Sequence, residues 1–192
     1  MKKIILAAAL LIIAAISTLG YLYKDYIFNN SDIQQIKSVI LKAAIMPEET
    51  YIAARNSYKA GTIADNKKKI IEDHSKSFDD VFSKDSNPQT KFTFVDMQVN
   101  SAQEGIDTLE CGVSGVIIEK ISIKNGTANV TAIVNKYTID RVEIDGKYFL
   151  DKMSADTKLI LTLKKEENKW KIRTYGLEPQ YDDPVHTFTE EN

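Results

Sequence analysis

One cysteine, two histidines, three arginines and four prolines in 192 residues leave several chemistries without raw material. Cys111 is alone, so no intramolecular disulfide staples the fold, and with no basic neighbour in sequence to lower its pKa it reads as a small buried hydrophobe. His74 and His186 are too few and too far apart for a zinc set, so no metal and no cofactor is expected. Of 25 basic residues only Arg55, Arg141 and Arg173 carry the planar fork suited to phosphates, and the formal charge is -2. Setting aside Lys2 and Lys3 leaves 23 basic against 27 acidic residues, or -4, which argues against nucleic acid as a partner.

Charge is also missing from Ile4 to Tyr23, a run long enough to span a bilayer behind Lys2 and Lys3. The positive-inside rule then places everything from Lys24 onward outside the cytoplasm, with Tyr21, Tyr23, Tyr26 and Phe28 at the exit interface. A single-pass anchor over residues 1–23 in the cell membrane is the expectation. Small residues at Ala15–Ser17 and Thr18–Gly20 keep a cleaved signal peptide, and hence secretion, as the alternative. No cysteine adjoins the run, which excludes a lipoprotein anchor.

Beyond a linker at 24–30, the length suits one domain, residues 31–176. Ser31-Asp32-Ile33-Gln34 has the form of a capping box, and Ile33, Ile36, Val39, Ile40, Ala43 and Ala44 recur at helical spacing up to Pro47. Glu48 to Ala60 predicts a second short helix or a kinked extension of the first, stopped by Gly61. From Asp65 to Ser83 one stripe carries Ile70, Ile71, His74, Phe78, Val81 and Phe82, an amphipathic helix made to cover a sheet. Residues 83–89 read as a loop.

After the loop the pattern changes to a period of two. Phe92 to Val99 reads as a strand. Asn125-Gly126 between VIIEKISIK and TANVTAIVNKYTI is a strong hairpin signal, repeated by Asp145-Gly146. A last hairpin spans 158–176, with Leu159, Leu161 and Leu163 on one face and the only tryptophan, Trp170, sharing a face with Ile172 on the return strand; Trp170 is expected in the core. Residues 177–192, with two prolines and five acids, predict a flexible acidic tail. The fold class is therefore α+β: a transmembrane helix, then two or three helices on a curved antiparallel sheet.

Helices followed by a sheet that closes on Asn168-Lys169-Trp170-Lys171-Ile172 resembles the nuclear-transport-factor-two-like (cystatin-like) superfamily over about residues 31–176. With the anchor in front, it also resembles the N-terminal modules of Gram-positive penicillin-binding proteins and membrane-anchored conjugation scaffold proteins. The resemblance implies a cone in which a curved sheet wraps a long helix and leaves a pocket at its wide end, used for catalysis in some members and for protein contacts in others. The stretch 140–157 departs from the pattern as an extra small hairpin or as lengthened strands.

Catalytic motifs are few. Gly112-Val113-Ser114-Gly115-Val116 lacks the last glycine of a nucleophile elbow, and no serine begins S-x-x-K, so the resemblance carries no transpeptidase activity. A calcium loop with Gly146 in its turn position would start at Arg141 and end at Lys152, where carboxylates are needed. By type, Tyr58, His74, Tyr137 and Asp140 are the acid/base candidates for a pocket, with plainer readings of His74 as a satisfied half-buried residue, Tyr137 as a sheet aromatic and Asp140 as a strand-end turn residue. Lys67–Lys69, flanked by Asp65, Glu72 and Asp73, reads as a solvated helix face. The expectation is a membrane-anchored, extracytoplasmic, non-catalytic module that binds a protein partner in the envelope, with a small-molecule-binding or acid/base enzymatic pocket as the alternative.

Overall fold

The computed structural model describes residues 2–103, 105–178 and 184–191, with side chains from Asn30 onward. The chain divides into two compact units, residues 1–35 and 36–192. The helix α1 (Lys2–Lys59) contributes to both. Among the described residues no helix is long and apolar enough to cross a membrane. The anchor expected at Ile4–Tyr23 and most of the linker after it lie where side chains are outside the description.

The second unit is an α+β fold in which helices pack on a curved antiparallel sheet. Its helices are the end of α1, α2 (Ile63–Val81), α3 (Pro88–Lys91), a π-helical turn (Phe92–Asp96) and α4 (Met97–Ser101). Its strands are β1 (Asp107–Lys124), β2 (Thr127–Ile144), β3 (Lys147–Glu166), β4 (Lys169–Leu177) and β5 (Val185–Glu190). The first four form a meander in chain order, and β5 pairs with the outer half of β3.

Three expectations of helix boundaries change. α1 is already helical before Ser31, so the capping box does not open it. Pro47 does not end it either. A proline in a helix interior removes one hydrogen bond, but here Ala43, Ala44 and Met46 before it and Thr50 and Ala54 after it are all buried, so packing clamps both sides of the defect. Phe92–Val99, expected as a strand, is helical: Asn87 Oδ1 accepts from the Gln89 amide and Pro88 occupies the first turn, which starts a helix. Phe94, Val95 and Val99 then go inward around the π turn. Gly61, at φ +69°, stops α1 as its position suggests.

The three hairpin turns fall where the sequence places them, each with two residues in the left-handed region: Asn125–Gly126, Asp145–Gly146 and Glu167–Asn168. The stretch 140–157 proves to be lengthened strands, since β2 and β3 stay in register from Thr127↔Lys164 to Ile144↔Lys147. Within the expected tail, Val185–Glu190 forms β5, paired from Ser154↔Val185 to Phe149↔Glu190. Its alternation is weak because every one of its residues is exposed.

Packing follows the apolar pattern. Ile36, Ile40, Ala43 and Ala44 of α1 meet Ala128, Val130, Ala132 and Val134 of β2 and Leu159, Leu161 and Leu163 of β3 in one core. Trp170, 2% exposed, and Ile172 extend this core onto β4. Phe78 and Phe82 stack at 4.1 Å, and Phe94 and Tyr175 meet them edge-on or tilted. The Ser83 amide donates to the Ile172 carbonyl at 2.8 Å, so the end of α2 covers the free edge of β4. The edge of β1 is broken instead by three register irregularities, which also bend it.

Candidate functional site

The helix-facing side of the sheet changes character halfway along. On β2 the inward series runs Ala128, Val130, Ala132 and Val134 and then becomes Lys136, Thr138 and Asp140; on β3 it runs Leu163, Leu161 and Leu159 and then Thr157, Ala155, Met153 and Asp151. Alternation keeps all of them on one face. Lys136 confirms the direction, because its ammonium pairs with Glu48 Oε1 of α1.

A cavity of about 150 Å³ lies at this transition, walled by Glu48, Lys136, Thr138 and Thr157 on its polar side and by Met153 and Ala155 on the other, with Tyr137 at its border. Glu48 Oε2 and Thr138 Oγ1 are buried and have no hydrogen-bond partner among the described residues; Asp140 Oδ1 and Arg55 Nε share that condition nearby on the same two elements. A buried polar atom without a partner costs about 1–3 kcal/mol, so the two on residues of the cavity wall need a physical account. Cys111 faces Thr138 from β1. Burial, with Glu48, Glu49 and Glu110 set against Lys136 alone, pushes its thiol up to about 11. That fits the small-hydrophobe reading.

The four sequence-derived candidates do not converge. Asp140 reaches this face, opposite Thr108 and Asp151. Tyr137 alternates away, and its hydroxyl donates to Glu110 Oε1 at 2.7 Å, which raises its pKa. Its ring lies against Gly112, where a Cβ would come within 2.5 Å, and under the Lys152 ammonium at 4.9 Å. His74 is a clasp between α1 and α2: the Thr50 hydroxyl donates to the Met46 carbonyl at 2.8 Å, so His74 Nδ1–H donates to Thr50 Oγ1 at 2.9 Å. Burial lowers its pKa, in keeping with a neutral ring. Tyr58 packs with Ala54, Val99 and Ala102 in a second, smaller core cluster.

Reasoning by residue type missed Glu48, Lys136 and Thr138. A signal for them was present: the inward-facing positions of β2 turn polar after Val134 while the alternation continues, which marks a face no core can absorb. It also missed His186, whose Nδ1 lies 2.9 Å from Asp151 Oδ2 and ties β5 to β3. Among the described residues no group of histidine, cysteine and carboxylates is placed to hold a metal ion. No known family, curated protein or solved structure matches this chain.

Proposed function

We propose that this chain is a single-pass membrane protein whose second unit lies outside the cytoplasm and acts as a non-catalytic docking module for another protein of the envelope. The uncharged run Ile4–Tyr23 behind two lysines supports the anchor and its orientation. Helices followed by a meander ending in Asn168–Ile172 support a cone of the nuclear-transport-factor-two-like kind. Docking rests on one observation: the outer end of the sheet leaves Ile144 and Phe188 46% and 54% exposed on its helix-facing side, with Tyr148 exposed on the other. Single exposed apolar residues are ordinary, but Ile144 and Phe188 share one face within a few rungs of one sheet end, which gives a partner an apolar foothold there.

Two measurements test this. With Cys111 replaced by serine and a single cysteine placed at Asn125, a membrane-impermeant maleimide labels intact cells; labelling only after lysis overturns the orientation, and an intact mass lacking the first residues shows cleavage and secretion instead. A photo-crosslinking residue at Ile144 or Phe188 gives the same discrete adduct from both sites and none from Asn129 at the far end of the sheet. Equal or absent adducts at all three positions overturn docking at this end.

A second reading, small-molecule binding, is favoured by the cavity. It is a binding reading because the His74 ring and the Tyr137 hydroxyl, the expected acid/base groups, are engaged by Thr50 and Glu110.

A further inference from the structure

We propose that the free edge of β5 pairs with β5 of a second copy of this chain, antiparallel and centred on Phe188, so that two sheets join into one. The proposal goes beyond the docking reading and does not need it: docking uses the helix-facing side of the sheet end, and self-pairing uses a strand edge. The sheet has three such edges to protect. That of β1 is bent by bulges and that of β4 is covered by the end of α2, whereas among the described residues nothing covers β5. Its register with β3 is unbroken, and Val185–Glu190 contains no lysine and no proline. β5 buries none of its residues, yet His186 ties it to Asp151, Glu190 to Lys147 and the following Glu191 to Arg141. A strand held in place without adding to the core is there to offer its edge.

The backbone decides the register. The Glu191 amide donates to the Tyr148 carbonyl, so Glu191 turns toward β3, and in an antiparallel ladder the N–H and C=O of every second residue turn the same way. Val185, Thr187 and Thr189 therefore bond β3, while His186, Phe188 and Glu190 hold their N–H and C=O groups toward the free edge. A second copy centred on Phe188 matches all three: Phe188 meets its own counterpart, and His186 and Glu190 meet each other twice across the two-fold axis. A shift of two residues either way sets one of the three against Pro184, which has no N–H, or beyond Glu191. The side chains agree with the backbone, because the two Phe188 rings, each 54% exposed, come side by side on the helix-facing side and an imidazole faces a carboxylate. An unrelated extended peptide would use the same backbone groups but would owe nothing to the match of His186 with Glu190. A six-residue ladder is a small interface, so the pairing is expected to be reversible and covalent capture is the fitting readout.

Cysteine pairing reads this register in the full-length chain, purified in detergent with micelles in excess of chains and with Cys111 replaced by serine. Across such a ladder hydrogen-bonded partners stand about 5.5 Å apart between Cα atoms and the other pairs about 4.5 Å, both within disulfide reach. Phe188→Cys is expected to form a disulfide dimer by itself under mild oxidation. Thr187→Cys or Thr189→Cys alone should give no more than Asn129→Cys at the far end of the sheet, since each lies about 7 Å along the strand from its counterpart, on top of the strand spacing. A mixture of the two should cross-link at least tenfold above that level. Phe188→Pro removes an edge-facing N–H and no bond to β3, so added to both partners of the mixture it should abolish the cross-link and leave the Trp170 denaturation midpoint in place; should it lower the midpoint, the cysteine pattern decides alone. Equal cross-linking at 187, 188 and 189, or none above Asn129→Cys at 188 and in the mixture, overturns self-pairing. In native membranes a photo-crosslinking residue at Thr189 gives an adduct of twice the chain's mass, and an adduct of another mass in its place overturns the proposal and assigns the edge to a strand of a different protein. The purified chain contains no envelope partner, so failure here leaves docking standing, and failure of docking leaves this pairing standing.

Discussion

Thr138→Val isolates the energetic oddity of the cavity wall. Valine keeps the shape and the β-branching that suit a strand, so the change removes a hydroxyl and little else. That hydroxyl oxygen is buried without a partner. An unsatisfied buried polar group costs about 1–3 kcal/mol, so its removal should stabilise the fold by about 1 kcal/mol, taking the lower end because the residue is only half-buried. For a chain of this size that is a rise in Tm of about 2–4 °C. Trp170 is the only tryptophan and is 2% exposed in the main core, so its fluorescence during denaturation follows the second unit alone. A Thr138→Val protein that loses 1 kcal/mol or more refutes the reasoning, since the hydroxyl must then be holding a bond that valine breaks.

Other perturbations test other parts of the fold. Glu167 and Asn168 sit at φ +48° and +65°, a region glycine and asparagine tolerate better than glutamate; Glu167→Asn with Asn168→Gly should raise stability by about 1 kcal/mol in urea denaturation, and a loss would show that the Glu167 side chain supports the turn. Gly112→Ala puts a Cβ 2.5 Å from the Tyr137 ring and displaces it; in a Tyr137→Ala background the same change should cost little, so a double-mutant cycle should give a coupling of about 1 kcal/mol, and additive effects would deny the contact. His74 has its pKa lowered from 6.5 by burial. The unfolded chain therefore binds a proton there before the folded one does, and stability falls as pH drops from about 7 through 6.5 to the depressed folded value, then levels. His74→Asn, with an amide nitrogen to donate to Thr50, should flatten that part of the pH profile relative to the native chain, and identical profiles would refute the assignment.

Legibility in the sequence follows how local the deciding physics is. The turns at Asn125–Gly126 and Asp145–Gly146, the stop at Gly61 and the stripe of α2 are settled within a few residues, and they read correctly. Pro47 reads as a helix end because its cost is local, whereas the buried Ala43, Ala44, Thr50 and Ala54 that outweigh it belong to tertiary packing. Phe92–Val99 has both a period of two and a buried set compatible with a helix, and a π turn shifts the phase so that neither template fits cleanly. Asn87-Pro88, an N-cap followed by a first-turn proline, was the local clue that favoured the helix. β5 has no buried side to write a period into the sequence and depends on Asp151 and His186, 35 residues apart.

The candidate site shows the same division at a finer scale. Tyr137 and Asp140 lie three residues apart in sequence, and a strand's period of two sends them to opposite faces; only Asp140 joins the helix-facing side. What groups Glu48, Lys136 and Thr138 is a single ion pair between α1 and β2, 88 residues apart in the chain. Breaking a half-buried pair of this kind leaves one charge under the helix without its partner, which is worse than removing both. Lys136→Met should therefore destabilise the second unit more than the double change Lys136→Met with Glu48→Gln. The Trp170 denaturation midpoint is the measurement, and a double variant less stable than Lys136→Met alone would mean that Glu48 has another donor at Oε2.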